Sequence, residues 1–154
     1  KSEVGAVVII PIISYKDKPN QLILVKQYRP STKKFAIEFP AGLSDENEKP
    51  EVTALRELKE ETGFTGTIER ITPHFAASVA LSNTKVVAAV VRIDGDHEDN
   101  QNLKTNFDEG EFVETLFVPV KDLPKTLQEF KERDDYAIDI ALGLFAEGTN
   151  LSLE

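Results

Sequence analysis

Residues Gly42–Phe64 read GLSDENEKPEVTALRELKEETGF, and the fold is decided by how this stretch is read. Pro50 suits the first turn of a helix, where its missing N–H costs nothing, and Glu51 suits the positive end of the helix dipole. Gly63 is placed to end that helix. The predicted helix, about Pro50 to Thr62, carries Glu57, Glu60 and Glu61 at positions i, i+3 and i+4, which stacks three carboxylates on one face. Like charges so placed destabilise a bare helix by roughly a few tenths of a kcal/mol per pair, a cost that a sequence selected for stability alone tends to avoid. Hard divalent cations such as Mg²⁺ take carboxylate oxygens and water and remove the repulsion. Arg56 supplies charge-assisted hydrogen bonds that orient its acidic neighbours. Most Glu-rich helices are solvated faces, so the carboxylates need a wider pattern around them before they mean metal.

Strand-like segments flank the helix. Apolar and β-branched runs lie at Val4–Tyr15, Gln21–Arg29, Lys34–Phe39, Gly66–Ala76, Thr84–Asp94 and Glu111–Val120, most of them bounded by Gly, Pro, Asn or Asp. Asp17–Asn20 reads as a hairpin turn between the first two. Gly95–Asp108 is polar and aperiodic, as in a long exposed loop. Two further helices are expected, at Lys121–Arg133 and from about Asp135 to Ala146, the latter stopping at Gly148. A single α/β domain over residues 1–154, one mixed sheet with helices packed on it, is the natural architecture.

Composition narrows the function. The 154 residues include 27 acidic and 18 basic side chains, a formal net charge of −9. Such a field repels nucleic acid and anionic membrane, so neither is an expected partner. A polyanionic ligand would need a cation to mediate its binding. The absence of cysteine excludes disulfides and thiolate zinc sites, and no apolar run reaches the roughly 18 residues of a membrane span. A cytoplasmic setting is the expectation. His74 and His97, the only histidines, lie in different segments and read as loop or surface residues.

The segment from Gly42 matches the pattern GX5EX7REUXEEXGU, U being a bulky hydrophobic residue: Gly42, Glu48, Arg56, Glu57, Leu58, Glu60, Glu61, Gly63 and Phe64 fill every defined position. A chance match at one starting point is on the order of 10⁻⁹ with average residue usage, so the alternative to an active enzyme is a domain of the same kind that has lost activity. The stretch resembles the Nudix hydrolases. The resemblance implies a Nudix-type α/β/α sandwich with a mixed sheet and a catalytic loop–helix–loop. It implies Mg²⁺, with Mn²⁺ as a substitute, held by Glu57 and Glu61. Glu60 would be a further ligand or water-orienting group, and Arg56 and Glu48 would fix the geometry.

Gln27-Tyr28-Arg29-Pro30 and Ile37-Glu38-Phe39-Pro40-Ala41-Gly42-Leu43 resemble the ADP-ribose and ADP-sugar pyrophosphatases within that family. That likeness implies Arg29, Gly42 and Leu43 as substrate-binding positions, and the Ala41 backbone carbonyl as a metal contact. Asp108-Glu109-Gly110-Glu111-Phe112 resembles the segment in which Glu111 would act as catalytic base or extra metal contact. The expected reaction is hydrolysis of ADP-ribose or a related ADP-sugar to AMP and a sugar phosphate. Two features depart from that group. The run Ser78-Val79-Ala80-Leu81-Ser82-Asn83 lacks the proline usual there, which weakens the loop and keeps another nucleotide, such as a modified nucleoside triphosphate, as a rival substrate. The N-terminal region with which relatives build a homodimer and clasp adenine is expected to be absent, and there is no Trp. Tyr15 and Tyr28 are then the candidate substitutes, though both fit packing roles better. A non-catalytic nucleotide-binding domain is the second rival.

Overall fold

A computed structural model describes residues 5–107 and 112–151. Asp108–Glu111, and with them Glu111 as a candidate base, lie outside the described residues.

The first two strands, β1 (Ala6–Ser14) and β2 (Gln21–Arg29), form the expected antiparallel hairpin, but they pair only at Ile12↔Leu22 and Ile13↔Gln21. Beyond those pairs they part, and the next segment is driven into the fork. Its first half, β3 (Lys34–Glu38), runs antiparallel to β2, while its second, β4 (Ala41–Leu43), runs antiparallel to β1. Pro11 explains where the split occurs. The Ile9 N–H donates to Pro40 O at 2.8 Å, and donors two residues apart on a strand point to the same side. The Pro11 nitrogen therefore faces the fork, where no ladder bond is lost.

The sheet is completed by β5 (Thr67–Ile71), β6 (Phe75–Ala76), β7 (Lys85–Asp94), β8 (Val113–Pro119) and β9 (Tyr136–Ile138), in the order β5-β7-β1-β2-β3-β9, with β4 on β1, β6 on β7 and β8 on β2. β1 with β7 and β3 with β9 are parallel, and the other pairs antiparallel. Side chains alternate across the sheet, so each strand feeds two cores. Val7, Ile9, Ile13 and Ile23 pack under helix α1 (Pro50–Thr62), against its Ala54 and Leu58. Leu22, Leu24 and Ile37 pack on the other face under α2 (Leu123–Lys131) and α3 (Ile140–Asn150), against Leu127 and Leu142. This is the expected α/β/α sandwich with a mixed sheet.

Three local expectations are corrected. The last helix does not begin near Asp135: Tyr136–Ile138 is a strand paired with Phe35–Ile37, and Asp139 caps α3 by accepting from the Ala141 N–H at 2.9 Å. Gly148 does not stop it, because α3 continues to Asn150. Gly66–Ala76 divides into β5 and β6, and Pro73 between them has no N–H to donate to the ladder.

The long loop after β7 is tied down by Asn100, 7% exposed. Its side chain accepts from the Thr65 N–H at 2.8 Å and donates to the carbonyls of Thr65 and Asp94 at 3.1 and 2.8 Å. Farther along, the Asn106 N–H donates to the Glu60 carbonyl at 2.9 Å, laying the loop across the end of α1. Asn100→Ala leaves those part-buried backbone groups without their side-chain partner, and urea unfolding is expected to show a loss of about 1–3 kcal/mol.

Candidate active site

The fork puts Ala41–Leu43 beside the N-terminal end of β1, and the chain then turns through Ser44–Lys49 into α1. Leu58 (0% exposed) and Phe64 (2%) anchor the helix in the core, which leaves Arg56, Glu57, Glu60 and Glu61 only partly buried on its flank. The hydrophobic positions of the motif are thus the anchors, and its charged positions are what they hold in place. At the helix end Gly63 adopts φ +77° and its N–H caps onto the Lys59 carbonyl.

Arg56 is the hub. Its Nε donates to Glu48 Oε1 at 3.1 Å and its Nη2 to Glu48 Oε2 at 3.0 Å, a two-pronged clasp. Nη1 donates to Glu57 Oε1 at 2.7 Å and to Glu60 Oε2 at 3.1 Å, and Nη2 also reaches the Leu43 carbonyl at 3.0 Å. One guanidinium among three carboxylates leaves an excess of negative charge, with Glu61 one residue beyond Glu60.

Gly42 belongs to the same construction. A Cβ there would fall 1.9 Å from Glu57 Cδ and 2.1 Å from its Oε1, so the Glu57 carboxylate rests directly on the β4 backbone. Pro40 O points to β1, so by strand alternation the carbonyls of Ala41 and Leu43 point away from it. Arg56 takes that of Leu43; that of Ala41 lies on the same edge. The Leu43 side chain itself is 72% exposed. One oxygen of Glu61, Oε2, is shielded from solvent.

The Glu48 carboxyl is pulled down to about 2 from an ordinary 4.5, first by the Arg56 hydrogen bond and then by the Asp45 N–H. The same clasp, followed by Glu57, holds Arg56 charged well above the usual guanidinium range. Because the folded-state value of Glu48 is depressed, its contribution to stability is full above about 4.5 and is lost as pH falls toward 2. Glu48→Gln is therefore expected to lower stability at neutral pH and to flatten its fall across that acidic window, measured by urea unfolding at a series of pH values.

Arg29 ends β2 and lies on the face of Ile23, the α1 side, level with the N-terminal end of β1 where β4 joins it. It pairs with Glu38 at 3.0 Å. Tyr28 lies on the opposite face, its ring 5.6 Å from that of Phe35. Tyr15 is at the far end of the sheet, under the Lys18 ammonium at 4.3 Å. Tyr15 packs against the core on the α1 side, whereas Tyr28 is half exposed. Lys26 is bound to Glu114 at 2.7 Å. His97 accepts from the Asp99 N–H at 3.3 Å, and His74 is an exposed loop residue. In the 78–83 loop, where proline is missing, the Ser82 N–H bonds to Ser78 O and the Ser82 hydroxyl accepts from the Thr84 N–H. A hollow of about 580 Å³ opens at the far end of β1 and β7, lined by Tyr15, Asp96 and Asn100 among others, and it contains no residue of the motif.

Sequence reasoning did not single out Thr53, which is fully buried beside Glu48, nor Asn100. Neither occupies a defined motif position, and only packing shows what their side chains meet.

A loop–helix–loop laid on a mixed sheet, with its carboxylates gathered around one arginine, defines a Nudix-type domain. The family model described as NUDIX domain matches residues 4–139, and the chain belongs to that family. It is 35% identical over 154 residues to an uncharacterized Nudix hydrolase of Schizosaccharomyces pombe, covering all of this chain and 74% of that one. It is 36% identical over 134 residues to the ADP-sugar pyrophosphatase of Mus musculus, covering 87% of this chain and 62% of the relative. With the ADP-ribose pyrophosphatase of Saccharomyces cerevisiae it shares 34% over 146 residues, covering 94% and 63%. The chain thus spans less than two thirds of the mouse and budding-yeast enzymes. A crystal structure of an ADP compounds hydrolase superposes with a TM-score of 0.58 at 27% identity, covering 95% of this chain and 71% of that one.

Proposed function

We propose that this protein hydrolyses the diphosphate bond of ADP-ribose or a related ADP-sugar, with Mg²⁺ as cofactor, giving AMP and a sugar phosphate. The observation that carries the reading is the seating of Glu57 on Gly42 by Arg56, beside the outward carbonyl of Ala41. The similarity to enzymes named for ADP-ribose and ADP-sugar supports the substrate class.

The donor chemistry fits a hard divalent ion: carboxylates, a backbone carbonyl and an excess of negative charge. Among the described residues no three acidic or histidine side chains converge on one point as a ready-made metal cage. Mg²⁺ keeps several waters and is bound through one or two carboxylates plus substrate phosphates. Glu57, Glu61 and the Ala41 carbonyl would hold it, with Mn²⁺ as a substitute. When bound, the ion neutralises the diphosphate and activates water for attack on phosphorus.

The protein's own groups do the positioning. Arg56 keeps Glu57 and Glu60 in register, and Glu48 keeps Arg56 from turning. Glu60 orients water or adds a ligand, and Glu111 serves as base. Arg29, whose planar fork matches phosphate oxygens, takes the diphosphate by exchanging its Glu38 contact for the substrate. Gly42 and Leu43 line the substrate's path. A homodimer and a cytoplasmic setting belong to the same reading. No helix among the described residues is long and apolar enough to cross a membrane.

The test is incubation with a panel of nucleoside diphosphate and triphosphate substrates, with and without Mg²⁺, with products identified by mass. AMP plus ribose 5-phosphate from ADP-ribose, only with metal, is the expected result. Pyrophosphate released from a modified triphosphate would retain the family's chemistry and discard the substrate class. Tight ADP-ribose binding without turnover would make the protein a nucleotide-binding domain.

A further inference from the structure

We propose that Thr53 is a positioning residue for this reaction, its buried hydroxyl locking the Glu48 carboxylate and, through Glu48, the Arg56 fork that holds Glu57 and Glu60. Thr53 lies one turn into α1 and is fully buried. Its Oγ1 lies 2.8 Å from Glu48 Oε2, 3.0 Å from Ser44 Oγ and 3.3 Å from the Lys49 carbonyl. The hydroxyl has one proton to give. An ionised Glu48 can only accept, and its contact is the shortest of the three, so it takes that proton.

The result is a carboxylate held by four donors. Glu48 Oε2 accepts from the Asp45 N–H at 3.1 Å, from Thr53 at 2.8 Å and from Arg56 Nη2 at 3.0 Å, while Oε1 accepts from Arg56 Nε at 3.1 Å. A carboxylate offers about four lone-pair sites, and here four donors meet it, three on Oε2 and one on Oε1. Each of these donors removes one way for the group to rotate. Because a guanidinium is planar and rigid, rotation of Glu48 would carry Nη1 away from Glu57 Oε1. Alanine is the better helix former, and a buried hydroxyl is a cost unless it is hydrogen-bonded. The Lys49 contact, the ordinary back-bond of a helical threonine, is the longest of the three.

The kinetic consequence rests on the hydrolase reading; the geometric one does not. The experiment compares wild type, Thr53→Val, which keeps the shape and removes the hydroxyl, and Thr53→Ser, which keeps the hydroxyl. At saturating Mg²⁺ and ADP-ribose, Thr53→Val is expected to lower kcat about tenfold or more, by loss of a hydrogen bond to a charged group, with KM changing far less. Thr53→Ser is expected to restore most of it. In a Glu48→Gln background Thr53→Val should add little, because both changes act on one link. An unchanged kcat in Thr53→Val, or effects that multiply in the double variant, would overturn the proposal.

NMR of the Arg56 Nε–H separates this inference from the functional reading. Its exchange with water is expected to quicken in Thr53→Val and to stay slow in Thr53→Ser. If wild type turns over no ADP-ribose, the functional reading fails alone, and Nε–H exchange unchanged by Thr53→Val would overturn the Thr53 role as well. Should Thr53→Val not fold, Thr53→Ala is carried through the same measurements.

Discussion

Gly42→Ala is expected to abolish most turnover of ADP-ribose, by roughly 10²-fold or more, while leaving the protein folded. The new Cβ would lie 1.9 Å from Glu57 Cδ, closer than any two such atoms can stand. What must move is the far end of a flexible side chain, so the strand need not yield. The φ of Gly42 is not in the left-handed region either, so alanine introduces no backbone strain. Stability is therefore expected to change little. Function is another matter, since Glu57 is displaced from the backbone edge it shares with Ala41. A misplacement of about 1 Å in a positioned catalytic group is enough for a loss of this size. Turnover in Mg²⁺ and thermal unfolding, measured together, check it: retained activity would remove Glu57 from its assigned place, and a collapsed melting temperature would make Gly42 a folding residue instead. Gly63→Ala is the contrast. There φ is +77° and the Cβ would meet the Lys104 backbone at 3.1 Å, so the loss should fall on stability.

Glu61→Gln carries the second large effect. The substitution keeps size and removes charge, on the flank of a helix whose core contacts are made by Ala54 and Leu58. The fold should persist. Changes to groups that merely support a metal ligand already cost about 10–100-fold, so loss of a ligand should exceed about 100-fold in kcat/KM. A ligand role further requires that the Mg²⁺ concentration for half-maximal activity rise, with part of the activity recovered in excess metal. Near-normal turnover would refute the assignment. A loss that no amount of metal relieves would move Glu61 from metal ligation to proton transfer.

The sequence made the motif legible because its chemistry is local. Helix spacing stacks Glu57, Glu60 and Glu61, and Pro50 and Gly63 mark the helix ends, where the structure has them. Strand positions read well where an apolar, β-branched run stood out, as in β1. The reading failed at Tyr136–Ile138, where Ile138 and Leu142 happen to keep helical spacing across a strand and a helix. Only the free edge of β3 makes that segment a strand. It was also silent on Thr53 and Asn100, whose polar side chains acquire meaning from what surrounds them.

By itself, then, the sequence determined the family, the sandwich architecture and the set of charged residues on α1, because these follow from residue type and short-range spacing. Tertiary structure alone decided how they meet. Pro11 opens a fork between β1 and β2, β4 enters it, and the Gly42 backbone arrives against Glu57 across 15 residues of chain. It also decided which face each aromatic takes, turning Tyr28 away from the side of the sheet that Arg29 shares with α1. Contacts between segments distant in sequence depend on how strands pair and cross, and no local pattern encodes that.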